Sequence, residues 1–170
     1  MILRPATPAD APALAALGRD AFVDKFGHLY SPENLAAFLE GSHSEAKVAK
    51  ELSDPGMAIM LAERGGVMAG MCMLVLDSSL KEHGTALRPL ELKQLYTAAG
   101  QTGGGIGAAL MDWALEFARS HGADEVQLSV WSENEGAHRF YYRYGFRKIA
   151  DIHFWVGDHC DDEYCFALRL

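Results

Sequence analysis

The residues of this chain best suited to chemistry run Gln101-Thr102-Gly103-Gly104-Gly105-Ile106-Gly107-Ala108. They follow a strand-like run, Glu91 to Thr97, and open an amphipathic helix. Glycines let backbone approach a ligand closely and take φ > 0 without steric cost. The first turn of the helix behind them offers unpaired N–H groups and the positive end of the helix dipole. Such a loop suits a phosphate or pyrophosphate. A Walker A loop is excluded, because Lys and Ser/Thr must follow its last glycine, and here Ile106 and Gly107 follow Gly105. A dinucleotide fingerprint fits literally at Gly103, Gly105 and Ala108, but its glycines belong in a tight turn directly after a strand. Here Ala98 to Thr102 intervene, deep in the chain. A glycine-rich strand-to-helix turn with no ligand is the plain alternative.

A second motif follows the next strand: Trp131-Ser-Glu-Asn134-Glu-Gly-Ala137-His-Arg-Phe140-Tyr141-Tyr-Arg143-Tyr144-Gly145-Phe146. With "LYTAAGQTGGGIGAALM" before it, this segment resembles the Gcn5-related N-acetyltransferase (GNAT) superfamily, whose pyrophosphate loop and second cofactor segment occur in this order. "SPENLAAFLE", "LELKQLY" and "HFWVGDHCDDEYCFALRL" carry the resemblance further, to the bacterial PaiA-type polyamine N-acetyltransferases.

The resemblance implies acetyl-CoA as donor, a small primary amine such as a polyamine as acceptor, and direct attack without a covalent enzyme intermediate. A protein amine as acceptor, or a non-catalytic acyl-CoA sensor, are the alternatives. It implies that backbone N–H groups of Gly103, Gly105, Ile106, Gly107 and Ala108 hold the pyrophosphate, and that Leu95, Tyr96 and Thr97 pair with the pantetheine arm like an added strand. Two positions depart from the family pattern: Arg or Gln usually stands where Thr102 is, and a polar or basic residue often stands where Gly104 is. Gln101 is the neighbour able to substitute, so binding is expected to survive, weakened by about one net hydrogen bond, ~0.5–1.5 kcal/mol. Tyr141 matches the tyrosine that gives a proton to the leaving thiolate, though core packing alone would also explain it. Asn134 matches the residue that caps its helix and meets the pantetheine arm; a plain N-cap is the simpler reading. Ala137 and Phe140 match the surface along the cofactor, and Arg143 is placed either near the nucleotide phosphates or on an exposed helix face.

Acetyl transfer from a thioester to an amine needs close positioning, a neutral amine, a donor for the developing oxyanion and a proton for the thiolate. Glu91 is the candidate base, with Lys93 on the same face under strict alternation; the alternative is an exposed ion pair between the two. A flexible polycation calls for carboxylates and aromatic surface. Glu33 and Glu40 on a helix, Asp77 in a loop and Trp131 at a strand end are the candidates, each acidic one also readable as a solvated surface group. His153, His159 and Cys160 with nearby aspartates match no standard zinc spacing, so no metal is expected.

The chain has 170 residues, 49% of them apolar, and a formal charge of −8 from 23 acidic and 15 basic side chains. One domain spanning 1–170 follows from that length. No basic stripe exists, which argues against nucleic acid; a negative field favours cationic substrates, or serves solubility alone. Three cysteines and the absence of an apolar leader or membrane-length run fit a reduced cytoplasmic protein.

Periodicity predicts a strand at Ile2–Arg4, a helix capped by Thr7, a helix capped by Ser31, and a third over Ser42–Leu52 with Ser42 and Glu45 at capping-box spacing. Strands follow at Met57–Glu63, Val67–Leu76 and Glu91–Thr97, then the helix after the glycine loop, a strand at Glu125–Val130, a helix at Glu135–Tyr144, and a closing pair at Arg147–Trp155 and Glu163–Leu170 around a polar turn, Gly157–Asp162. The fold class is α/β, a mixed and mostly antiparallel sheet of about seven strands with helices on both faces. The resemblance adds a splay between the fourth and fifth strands, and in many relatives the C-terminal strand pairs two copies into a homodimer.

Overall fold

A computed structural model describes residues 1–170. Its strands are β1 (Ile2–Pro5), β2 (Met57–Arg64), β3 (Val67–Val75), β4 (Pro89–Thr97), β5 (Glu125–Trp131), β6 (Arg147–Val156) and β7 (His159–Arg169). Its α-helices are α1 (Ala11–Phe26), α2 (Pro32–His43), α3 (Glu45–Leu52), α4 (Ile106–Ser120) and α5 (Glu135–Tyr144). The order of elements is the expected one, and the seven strands form one sheet in the order β1-β2-β3-β4-β5-β7-β6. Every pairing is antiparallel except β4 with β5.

The continuous apolar runs of β2 and β3 have a simple cause: both sheet faces are covered. Met60, Ala62, Cys72 and Leu74 pack with Ile106, Leu110, Met111 and Ala114 of α4. Their neighbours Ile59, Leu61, Met71 and Met73 point the other way, onto Leu14 and Leu17 of α1 and Val48 of α3. Burial of such a side chain contributes about 1.5–3 kcal/mol. No helix is long and apolar enough to cross a membrane.

Beyond shifts of a residue or two at strand ends, the structure departs from expectation in three places. The cap of α3 is Ser44, whose side chain accepts from the Lys47 N–H at 3.3 Å; Ser42 lies inside α2. α2 runs on through the buried His43, which places Ser44 between the two helices as the cap of the second. The turn after β6 is only Gly157 and Asp158, because His159 to Asp162 pair across to β6 in spite of their polarity. Most importantly, β7 lies between β5 and β6. The C-terminal strand is therefore paired on both sides within the chain, and its edge is not free to pair with a second copy; β6 carries the open edge.

β4 and β5 pair only over Pro89–Glu91 and Glu125–Gln127. Beyond that, β4 stays paired with β3 as far as Thr97, and β5 with β7 as far as Trp131, so the two strands part. A bulge contributes. Met73 pairs with Gln94 and Leu74 with Leu92, leaving Lys93 as the extra residue on β4. A bulge bends its strand and flips the side-chain alternation beyond it. Leu90, Leu92 and Leu95 accordingly all pack on the α4 side, whereas Tyr96 faces the opposite core.

The point of divergence is pinned by a buried polar network. Ser78 Oγ donates to Gln127 Oε1 at 2.6 Å, Gln127 Nε2 donates to Glu125 Oε1 at 2.8 Å, and Arg169 Nε sits 2.9 Å from Glu125 Oε2. These contacts tie the loop after β3 to the last paired residues of β5.

Candidate active site

The parting strands open a cavity of about 820 Å³. β4 supplies Glu91 to Thr97, β5 supplies Ser129 to Trp131, and α5 supplies Asn134, Ala137 and Tyr141. The ends of α1 and α2, with β6 and β7, close the far side.

Gly105 stands at the N-cap of α4 with φ 79°, and Gly103 has φ 78°. Both are left-handed, and neither has an atom within 4 Å of where a Cβ would sit. The Ile106 side chain is buried in the core beneath α4. Gly107 faces the Phe140 ring, and the carbonyl of Ala108 accepts from the Tyr144 hydroxyl at 3.2 Å, which locks α5 against α4.

The loop has a partner that the sequence did not disclose. Arg64, at the end of β2, donates from Nη2 to the Gly104 carbonyl at 2.7 Å and from Nη1 to Gln101 Oε1 at 3.3 Å. A Cβ on Gly104 would stand 2.7 Å from that guanidinium. An arginine from another strand thus stands beside the two positions, Thr102 and Gly104, that lack a charged side chain. Gln101 is engaged by Arg64 through its oxygen. Thr102 lines the cavity.

Asn134 caps α5, its side chain accepting from the Ala137 N–H at 3.2 Å. The Tyr141 ring packs edge-on against Phe146, centroids 5.7 Å apart, and burial holds its phenol protonated well above the ordinary tyrosine range. Trp131 meets Phe26 edge-on at 6.0 Å. Arg143 lies over the Phe140 ring, 5.8 Å from its centroid, on the outer face of α5 and outside the cavity.

Other expected residues fall elsewhere. Glu33 and Glu40 are exposed on α2, whose inward stripe is Leu35, Phe38 and Leu39. Asp77 pairs with Lys81 at 2.8 Å on the surface, a local i,i+4 contact that turns it outward. None of the three lines the cavity. Glu91 does line it, but not as a partner of Lys93: its Oε2 accepts from the Ser79 N–H at 2.9 Å and the Ser79 hydroxyl at 2.7 Å. The bulge sends Lys93 to Glu51, Nζ to Oε1 3.2 Å, where Lys47 also approaches at 3.7 Å.

Two cavity groups, His43 and Glu163, escaped sequence reasoning. His43 is buried beside Phe22, Phe38 and Tyr96; burial, with the charges of Arg19 and Lys93, lowers its pKa to about 4. The carboxylate of Glu163 accepts from the Ser129 hydroxyl. Next to it, Asp161 accepts from the Tyr30 hydroxyl and sits 3.0 Å from His159 Nε2. His153 stands 3.3 Å from Asp162. No group of three or more His, Cys, Asp or Glu side chains is arranged to hold a metal ion.

A glycine loop at a helix N-terminus beside an open strand edge suits a phosphate group at one end and an extended chain along the other. The family model described as "Acetyltransferase (GNAT) family" matches residues 20–146. An uncharacterized N-acetyltransferase of Mycobacterium tuberculosis is 34% identical over 161 residues, 95% of this chain and 98% of that protein. The aminoalkylphosphonate N-acetyltransferase of Salmonella typhimurium is 35% identical over 100 residues, 59% of this chain and 63% of its own. Among solved structures, the PaiA N-acetyltransferase of Thermoplasma acidophilum in complex with coenzyme A superposes with a TM-score of 0.80 over 99% of this chain and 98% of its own at 21% identity, a likeness of fold. The chain belongs to the GNAT acetyltransferase family. It is an N-acetyltransferase with acetyl-CoA as donor. The residues fit that donor: the open β4 edge presents unpaired backbone groups, and nothing crowds the left-handed glycines.

Proposed function

We propose that this enzyme acetylates the primary amine of a small, flexible cation, a polyamine or similar amine, by direct attack in the gap between β4 and β5. The observation that carries this reading is the acceptor wall of the cavity, where the rings of Phe26, Trp131 and Phe154 stand with the carboxylates of Glu91 and Glu163. Aromatic faces and carboxylates together select ammonium groups.

In this reading the loop Gly103–Ala108, with Thr102 beside it and Gln101 and Gly104 held by Arg64, receives the pyrophosphate on backbone N–H groups. Leu95, Tyr96 and Thr97 pair with the pantetheine arm, Asn134 and Ala137 line its other side, and Phe140 supports the loop through Gly107. Tyr141, kept protonated by burial, gives its proton to the departing thiolate. Glu91 holds the incoming ammonium, its Oε2 fixed by Ser79. The three free cysteines accord with a reducing cytoplasm.

A second reading has its own support. Lys47 and Lys93 share the single carboxylate of Glu51 inside the cavity, an excess of positive charge that suits an amine also bearing an anionic group. The Salmonella relative's name describes such an acceptor. Release of free CoA from acetyl-CoA, measured with spermidine, spermine, putrescine, an aminoalkylphosphonate and a peptide, separates the two. Saturable turnover confined to the polyamines supports the first; turnover confined to the phosphonate moves the answer to the second.

A further inference from the structure

Glu163 stands on β7 opposite Trp131 of β5 and Ile152 of β6, and it faces the cavity shared with Tyr141. The Ser129 hydroxyl fixes its carboxylate from β5. The groups around it are mostly unable to compensate a charge. From its own strand comes the Asp161 carboxylate, already engaged by Tyr30 and His159. β4 contributes the Tyr96 phenol and α5 the Tyr141 phenol, both kept neutral by burial. His153 of β6 is paired with Asp162, and Asp24 and Lys25 at the end of α1 bring one charge of each sign to the cavity wall. No hydrogen bond from a cation reaches Glu163.

We propose that Glu163 is the general base that takes the proton from the acceptor's ammonium, an assignment that rests on the amine-acetylating reading above. Glu91, the base expected from the sequence, then serves to hold the ammonium, because Ser79 already claims one of its oxygens twice. Burial, reinforced by Asp161, pushes the Glu163 pKa up to about 7. A base works best with its pKa near the working pH.

The step balances as follows. An N–H bond of the ammonium breaks, its electron pair stays on nitrogen, and the proton goes to Glu163. That pair forms the C–N bond to the thioester carbonyl carbon. The C–S bond breaks with its pair on sulfur, which takes the Tyr141 proton. The proton still to be lost from nitrogen restores Tyr141, and Glu163 releases its own to solvent. The products are one amide, one thiol and one proton.

The test is the pH profile of kcat/KM for the amine that the wild-type enzyme turns over best, with CoA affinity and melting temperature followed in parallel. Wild type should show an acidic limb near pH 7. Glu163→Gln should lose about a hundredfold at pH 7, with the loss shrinking toward pH 10 as solution supplies free amine. Its CoA affinity and melting temperature should be unchanged. Glu91→Gln should raise KM and keep the limb. A Glu163→Gln enzyme that keeps both rate and limb, or a Glu91→Gln enzyme that loses the limb, overturns the assignment. Should the glutamine variant not fold, Glu163→Asp and carboxyl-carbon NMR of the wild type decide. A limb retained at reduced kcat and a carboxyl titrating near 7 support the base; no carboxyl titrating between pH 6 and 8 overturns it. Wild-type protein that leaves every amine untouched would overturn the small-amine reading, and this assignment with it, before any variant is compared.

Discussion

His43 stays neutral at a pH where an ordinary histidine begins to charge, because its ring lies among Phe22, Phe38 and Tyr96. Gly18 is the reason it fits: a Cβ there would stand 2.7 Å from Nδ1. Its folded pKa, about 4, lies below the unfolded value of 6.5. The unfolded chain therefore binds the proton first, and the stability His43 contributes is present above pH 6.5 and lost as pH falls toward 4. Protonation of Glu163, whose folded pKa is raised to about 7, opposes this loss in the same window, so the His43→Gln protein should lose less melting temperature than the wild type, or gain more, between pH 6.5 and 4. An unchanged slope in the variant would place the acid sensitivity elsewhere. At this scale the sequence told residue types better than partners. Tyr141 was legible from a motif and does face the cavity. Glu33 and Asp77 stand out in the sequence by charge alone; Glu33 is exposed on α2, and Asp77 is turned outward by its contact with Lys81. Glu163 carries no local signal, since it reads as one acidic residue among several on a strand.

The glycine loop was the most legible element, and its boundaries agree with the structure because helix start and left-handed turn are both encoded locally. Its clasp was not. Arg64 lies on a different hairpin and reaches Gly104 and Gln101 only after β2, β3 and β4 pair. Arg64→Ala should weaken CoA binding by ~0.5–1.5 kcal/mol, about two- to twelvefold in Kd, with little change in kcat at saturation; calorimetric titration reads this directly. Undiminished affinity would mean that the backbone donors suffice alone. The bulge at Lys93 was likewise hidden. Strict alternation put Glu91 and Lys93 on one face, and only the pairing with β3 shows the extra residue that sends them to Ser79 and Glu51.

Across the whole molecule, the site exists because two strands that pair at their start do not pair at their end. The buried links among Ser78, Gln127, Glu125 and Arg169 hold the point where they part. β7, inserted between β5 and β6, brings Glu163 to the far wall. The sheet class and the two-sided core could be read from apolar runs and helix stripes. The strand order could not, because it is fixed by contacts between residues far apart in sequence. The central claim is that acetyl transfer takes place in this gap, with Tyr141 of α5 facing β4 across it. Its most direct test is the steady-state rate of CoA release by Tyr141→Phe, with the Kd for CoA measured on the same protein. The account predicts a fall in kcat of about a hundredfold or more with Kd unchanged. A variant that turns over as fast as the wild type would contradict it.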